Sequence, residues 1–191
     1  MTIPRDLSNL APGANTSGVL QPSKGGTGAT TLAGANLPVT TANNTFTGTQ
    51  SFTGTSSALA AVFTDIAESI TVSATAATGT IDYDVTTQNA LFYTTNSSGN
   101  FTVNFRGSSG TSLNTLMSTG QMITVVFLVT NGSPAYYNTA VQVDGSSVTP
   151  KWQGGTAPTS GNTSSVDIYT YTIIKTGSAA FSVFASQTKF A

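Results

Sequence analysis

The chain has no cysteine and no histidine. The first absence excludes disulfide staples, thiolate metal ligands and thiol nucleophiles, and the second removes the imidazole that most often moves protons near neutral pH. Charge is scarce as well. Asp, Glu, Lys and Arg make up 7% of the 191 residues, against about 25% in ordinary soluble domains. Six basic and seven acidic residues are scattered singly for a net charge of −1. No basic stripe is present to release counterions from a nucleic acid, so none is expected as a partner. No stretch approaches the roughly 18 apolar residues of a membrane span, and membrane insertion is not expected. The opening MTIPRDLSNLAPG lacks the apolar run of a secretory signal. A protein of this kind acting outside a cell is expected to leave by lysis or inside a particle.

What remains is a hydrophobic content of 38%, enough for a core at this length, and a surface built from Ser, Thr, Asn and Gly. That surface suits an extracellular or virion protein better than a cytosolic enzyme. Residues 1–44 read as an extended attachment segment. Pro4, Pro12, Pro22 and Pro38, with glycines such as Gly25, Gly26 and Gly28, deny it regular hydrogen bonding and a core of its own. Its isolated apolar residues, among them Leu7, Leu10, Val19, Leu20, Leu32 and Leu37, suit contact with a neighbouring chain or a docking surface. A plain disordered tail is the alternative.

Residues 45–66 read as an oligomerisation neck. TFTGTQ is followed at once by SFTGTS, which places Phe46 and Phe52 at equivalent positions, each two residues before a glycine. One apolar side chain in six cannot make a core within one chain, so copies are expected to bring these rings together on a shared axis. In ALAAVFTDIAE, residues 58–68, Leu59, Val62, Phe63 and Ile66 recur at spacings of three and four. That spacing fits one face of a short helix continuing the axis, or else an Ala-rich linker into the first strand. Phe46, Phe52, Leu59, Val62 and Phe63 are the expected interface of a homotrimer.

From residue 67 to 191 the period changes to two. Ile81, Tyr83 and Val85 alternate with aspartates, and Phe101, Val103 and Phe105 with Thr102, Asn104 and Arg106. Asp144-Gly145 between two alternating runs reads as a tight hairpin. Eight or so short strands are predicted, in an all-β domain of the antiparallel β-sandwich, jelly-roll-like type. The run from Met122 to Val129 is apolar on both faces, which places it mid-domain or at a subunit interface, with residues 112–118 as a possible cover.

Chemistry is sparse, and neither a catalytic residue nor a cofactor or metal is expected. Ser186 and Lys189 have the spacing of a serine–lysine pair without its companion motifs. Gly26-Thr27-Gly28 lacks the context of a nucleotide loop. Asp82 and Asp84 share a strand face and could hold calcium only if Asp144 or Asp167 converged on them. The candidate ligand-binding residues are Trp152, in a probable loop with Lys151 and Gln153, and the pair Tyr136 and Tyr137. A flat aromatic beside amides and hydroxyls suits a glycan. The other reading is that Trp152 plugs the bottom of the sandwich.

Ser8-Asn9-Leu10, Gly18-Val19-Leu20, the run Gly25-Gly26-Thr27-Gly28-Ala29-Thr30-Thr31 and Ala35-Asn36-Leu37 together resemble a module of tailed-phage tail fibres. The Phe-Gly hexads are similar to repeats of trimeric fibre shafts, and the C-terminal β domain resembles modules in structural proteins of cyanobacterial and marine phages. Two hexads in 191 residues leave no room for a long shaft. The resemblance implies a non-enzymatic virion structural protein, a short homotrimeric tail fibre or spike, released in the phage particle at lysis. Its N-terminal segment would dock on other virion proteins and its head would meet a host surface glycan. The alternative is a capsid or tail decoration protein that stabilises the particle.

Overall fold

Alternating apolar and polar side chains between Gly-, Asn- and Ser-rich turns make half-buried strands. The computed structural model of the chain describes residues 49–52, 54–57 and 59–190, and it forms strands where that alternation stands. The chain divides into two compact units, Met1–Thr64 and Asp65–Ala191. The described residues of the first form neither helix nor strand. Phe46 lies outside the described residues, while Phe52, Leu59, Val62 and Phe63 are all exposed. The helical alternative for residues 58–68 is not realised over the described part. An eleven-residue helix is marginal on its own, and its apolar stripe finds no cover among the described residues, where Leu59 and Val62 are each 83% exposed.

The second unit contains ten strands and a short helix. In order they are β1 (Ile70–Ala76), β2 (Gly79–Asp84), β3 (Ala90–Thr95), β4 (Phe101–Arg106), α1 (Leu113–Leu116), β5 (Met122–Thr130), β6 (Asn138–Val143), β7 (Ser146–Val148), β8 (Lys151–Trp152), β9 (Val166–Gly177) and β10 (Ala180–Phe190). They form a six-stranded sheet, β1-β3-β5-β9-β10-β8, and a four-stranded sheet, β2-β4-β6-β7.

The antiparallel jelly-roll expectation is corrected here. Through β6 the chain alternates between sheets, so β1, β3 and β5 are parallel neighbours in one and β2, β4 and β6 in the other. The first six strands thus form a flattened coil of three turns. Antiparallel pairing is confined to β6 with β7 and to β9 with β5 and β10. The physical reason lies in the connections. A tight hairpin needs positive φ at its central residues, and Asp144 (φ 51°) and Gly145 (φ 77°) supply it between β6 and β7. Residues 96–100 and 107–110 also break strands, but there the chain crosses to the opposite sheet instead of folding back.

Between the sheets lies one core. Phe101 and Phe105 of β4 meet Phe127 of β5 and Tyr171 of β9 across it, with ring centroids 5.3 and 4.9 Å apart. The Tyr83 hydroxyl of β2 crosses to the opposite layer and donates to the carbonyl of Asn89 at 2.6 Å. Burial pushes its pKa far above the usual phenol value. A fully buried side chain of this class stabilises by about 1.5–3 kcal/mol.

α1 does not cover the outer face of β5, as residues 112–118 were expected to do. It closes one end of the core with Leu113 and Met117, both buried. Its start is held by Ser112 Oγ, which accepts from Thr115 N at 3.0 Å, and by the Asp144 carboxylate, which accepts from the backbone of Leu113 and Asn114 at 2.6 and 2.9 Å. Its end is held by Lys175 Nζ, which donates to the carbonyls of Asn114 and Met117.

Candidate binding site around Trp152

β8 is two residues long and pairs in parallel with Phe184 and Ala185 of β10 at the edge of the six-stranded sheet. Its shortness has a local cause. Gly154 and Gly155, at φ 75° and 78°, turn the chain away from the edge in a conformation that L side chains rarely adopt. The turn leaves one side of Trp152 open. On its other side the indole meets Tyr169 and Tyr171 edge to face, with centroids 6.5 and 6.2 Å away. Trp152 therefore plugs the sandwich and also presents a partly exposed ring.

Three grooves meet at that ring. The largest, about 480 Å³, runs between Gln153, Thr156 and Pro158 on one bank and Gln187, Thr188 and Lys189 on the other. A second, about 330 Å³, extends over Phe184, Thr170 and Thr172. The third, about 270 Å³, passes Pro158 towards Val141 and Val148 of the four-stranded sheet. Lys151 Nζ stands 5.3 Å from the Phe184 ring centroid.

A fixed polar network backs the largest groove. Gln187 Nε2 lies within hydrogen-bond distance of Asp167 Oδ2 (3.1 Å), the Tyr169 hydroxyl (3.0 Å) and the carbonyl of Ser160 (3.1 Å). Lys189 Nζ donates to Ser160 Oγ at 3.0 Å. Asp167, fully buried, also accepts from Asn131 Nδ2 and the backbone of Asn162, both at 3.0 Å. Its other oxygen has no hydrogen-bond partner among the described residues. Burial raises the pKa of this carboxyl, opposed by its hydrogen bonds and by the charge of Lys189.

No family model, curated protein or solved structure matches the chain. The site's chemistry therefore has to be read from its own groups: one flat indole, amide and hydroxyl side chains, and the ammonium groups of Lys151 and Lys189. Such a set is chemically suited to stacking on and hydrogen bonding with polyhydroxy compounds, and its ammonium groups to pairing with an acid group.

Tyr136 and Tyr137 do not join it. Both lie half-buried ahead of β6, their backbone amides donating to Asn131 Oδ1 and Asn100 Oδ1, and neither lines the three grooves at Trp152. Ser186 and Lys189 fall on opposite faces of β10, so their spacing makes no pair. The calcium arrangement does not form either. Asp82 and Asp84 are bridged by Arg106 at 2.6 and 2.5 Å, Asp144 holds α1 and Asp167 is buried at another site. Among the described residues, no group of three or more potential ligands could hold a metal ion.

Gln187 and Lys189 escaped the sequence reading although a signal existed. On β10, Val183, Ala185, Gln187 and Lys189 share one strand face, so two long polar side chains continue an inward-facing apolar row.

Proposed function

We propose that the chain is a non-enzymatic structural protein of a tailed-phage particle, a short homotrimeric fibre or spike whose β head meets a bacterial surface glycan at the Trp152 grooves. The reading rests foremost on the run from Gly25 to Thr31 with the two Phe-Gly hexads after it, joined to a charge-poor β domain. The head adds a partly exposed tryptophan flanked by amides, hydroxyls and Lys189. Weak sites repeated on three chains gain avidity through effective concentration. N-terminal residues 1–44 attach the assembly to other virion proteins.

Trp152→Ala is a poor probe of this site, because the ring also packs on the core. The better pair is Gln153→Ala with Lys189→Ala, at exposed positions. The full chain is tested for its mass by light scattering and for binding to a panel of immobilised bacterial surface polysaccharides. The expected result is a trimer that retains one class of polysaccharide, with retention lost in the double variant at unchanged melting temperature. A full chain that retains no member of the panel, or a double variant that binds as wild type does, refutes the glycan site. A monomer at every concentration refutes the fibre.

A further inference from the structure

The two outer faces of the sandwich differ sharply in chemistry. On the four-stranded sheet, Thr80, Asp82 and Asp84 of β2 lie beside Thr102, Asn104 and Arg106 of β4, with Gln142 and Ser147 beyond them. This face is polar throughout and ion-paired at one end, as a solvated sheet should be.

On the six-stranded sheet the outward positions are Ile70 and Val72 of β1, Phe92 of β3, and Met122, Val126 and Leu128 of β5, in register with one another. The row continues through Ile168, Thr170, Thr172 and Ile174 of β9 to Phe184 and Phe190 of β10, where Ser182, Ser186 and Thr188 share the same face. Among the described residues the only charge on this face is Lys151, at the edge beside Phe184. Met122 is 63% exposed, Val72 59% and Ile70 54%. Folding the domain leaves this row uncovered, although β5 carries apolar residues on both sides like a strand enclosed by two layers.

We infer that this outer face is the surface through which copies of the chain pack on one another. The inference rests on the oligomeric reading above and locates a contact in the head as well as in the neck. Size supports a second copy as the occupant. With strands about 4.8 Å apart and about 3.3 Å per residue, three long strands and two short ones present roughly 700 Å². That is close to the roughly 800 Å² each partner contributes to a stable protein interface. Composition points the same way. β-branched side chains lose little rotamer freedom on packing, and the Thr124 and Thr172 hydroxyls lie 3.1 Å apart, within hydrogen-bond distance of one another. With almost no charge, the face offers nothing to a partner chosen by electrostatics and is complementary to itself.

Because the chain has no cysteine, a single introduced thiol reports on this surface without interference. Thr170→Cys on the apolar face and Thr102→Cys on the polar face are compared in the full chain by maleimide labelling across a concentration series, alongside light scattering of the wild type. At a total concentration about tenfold above the dissociation constant of a two-copy contact about a fifth of the chains stay free, so labelling of Thr170→Cys is expected to slow about fivefold by mass action, while Thr102→Cys keeps one rate throughout. Equal labelling of the two thiols in a chain that scatters as an oligomer overturns the inference and leaves the oligomer to the neck. Protection of Thr170→Cys that persists at dilutions where light scattering shows a monomer also overturns it, since the cover then comes from the same chain. A wild type monomeric at all concentrations removes the oligomeric reading and this inference together.

Discussion

Asp144 performs two tasks, and substitutions can separate them. It sits at φ 51° in the turn between β6 and β7, and its carboxylate reaches across to accept from the first two backbone amides of α1 at 2.6 and 2.9 Å. Those amides would otherwise be unpaired at a helix start, beside the fully buried Leu113. Hydrogen bonds to a charged group contribute about 1.5–3 kcal/mol each when buried, and these two are only partly so. Their combined loss is therefore put at about 2–3 kcal/mol. Asp144→Asn keeps an oxygen acceptor and tolerates positive φ, and is expected to cost about 1 kcal/mol. Asp144→Gly keeps the turn and loses both bonds, about 2–3 kcal/mol. Asp144→Ala loses both and adds about 1 kcal/mol of left-handed strain. At about 4 °C per kcal/mol for a domain of this size, melting temperatures should fall by about 4, 10 and 14 °C in that order. Thermal melts followed by near-ultraviolet circular dichroism measure this directly. A glycine variant as stable as wild type refutes the reasoning, because Asp144 would then be a turn residue alone.

The other expectations concern the site and the outer surface. Trp152→Ala should lower stability by about 2–3 kcal/mol in urea titrations, below the roughly 3–5 kcal/mol of a fully enclosed tryptophan because one side of the ring is open; a change under about 0.5 kcal/mol would mean that the indole does not plug the sandwich. Asp167 should show an inverted pH effect. Its folded pKa is raised, so between the usual carboxylate value near 4 and that raised value the folded chain binds the extra proton, and stability falls as pH rises through the window. The Tyr169 phenol beside it, itself raised by burial, stays neutral there. Melting temperatures of wild type and Asp167→Asn should accordingly converge on acidification and separate towards neutral pH, with the variant gaining relative to wild type; a constant difference would count against a raised pKa. Arg106→Ala should cost about 1 kcal/mol, in keeping with ion pairs that remain partly open to solvent, and 1 M salt should erase most of the difference.

Strand positions were legible in the sequence because a half-buried strand writes its period into the chain. The expected alternation from Phe101 to Arg106 coincides with β4, and the hairpin at Asp144-Gly145 forms as expected. Strand direction was not legible. Gly, Asn and Ser mark where a strand stops, but whether the next strand joins the same sheet or the opposite one depends on which core side chains it meets there. β8 was missed for a related reason, since two residues are too few to show a period. At the site, a lone tryptophan was visible in the sequence. Its partners on β10 lie 32 or more positions away, and only the pairing of Lys151 with Phe184 and of Trp152 with Ala185 brings them alongside. The row Asp167, Tyr169, Tyr171, Ile173 and Lys175 shows what could have been noticed. A strand whose inward face begins with a carboxylate and ends with an ammonium must supply hydrogen-bond partners for both ends, and Asn131, Gln187 and the α1 carbonyls supply them.

The coiled topology also accounts for where the two candidate surfaces lie. A three-turn coil gives each sheet one strand per turn and leaves both sheets open at their edges. The six-stranded sheet is extended by β9 and β10, the longest strands, of 12 and 11 residues. Their inward residues complete the core, and their outward residues enlarge a face that the first turns had already made apolar with Ile70, Val72 and Phe92. At the far edge β8 stops after two residues, because Gly154 and Gly155 bend the chain away. That stop limits further strand addition at the edge and opens the grooves beside Trp152. The broad apolar face and the narrow aromatic edge thus follow from the same two strands. Chains packed through the face would cover the second groove, over Phe184, Thr170 and Thr172, and would leave the largest groove, between Gln153 and Lys189, to a ligand.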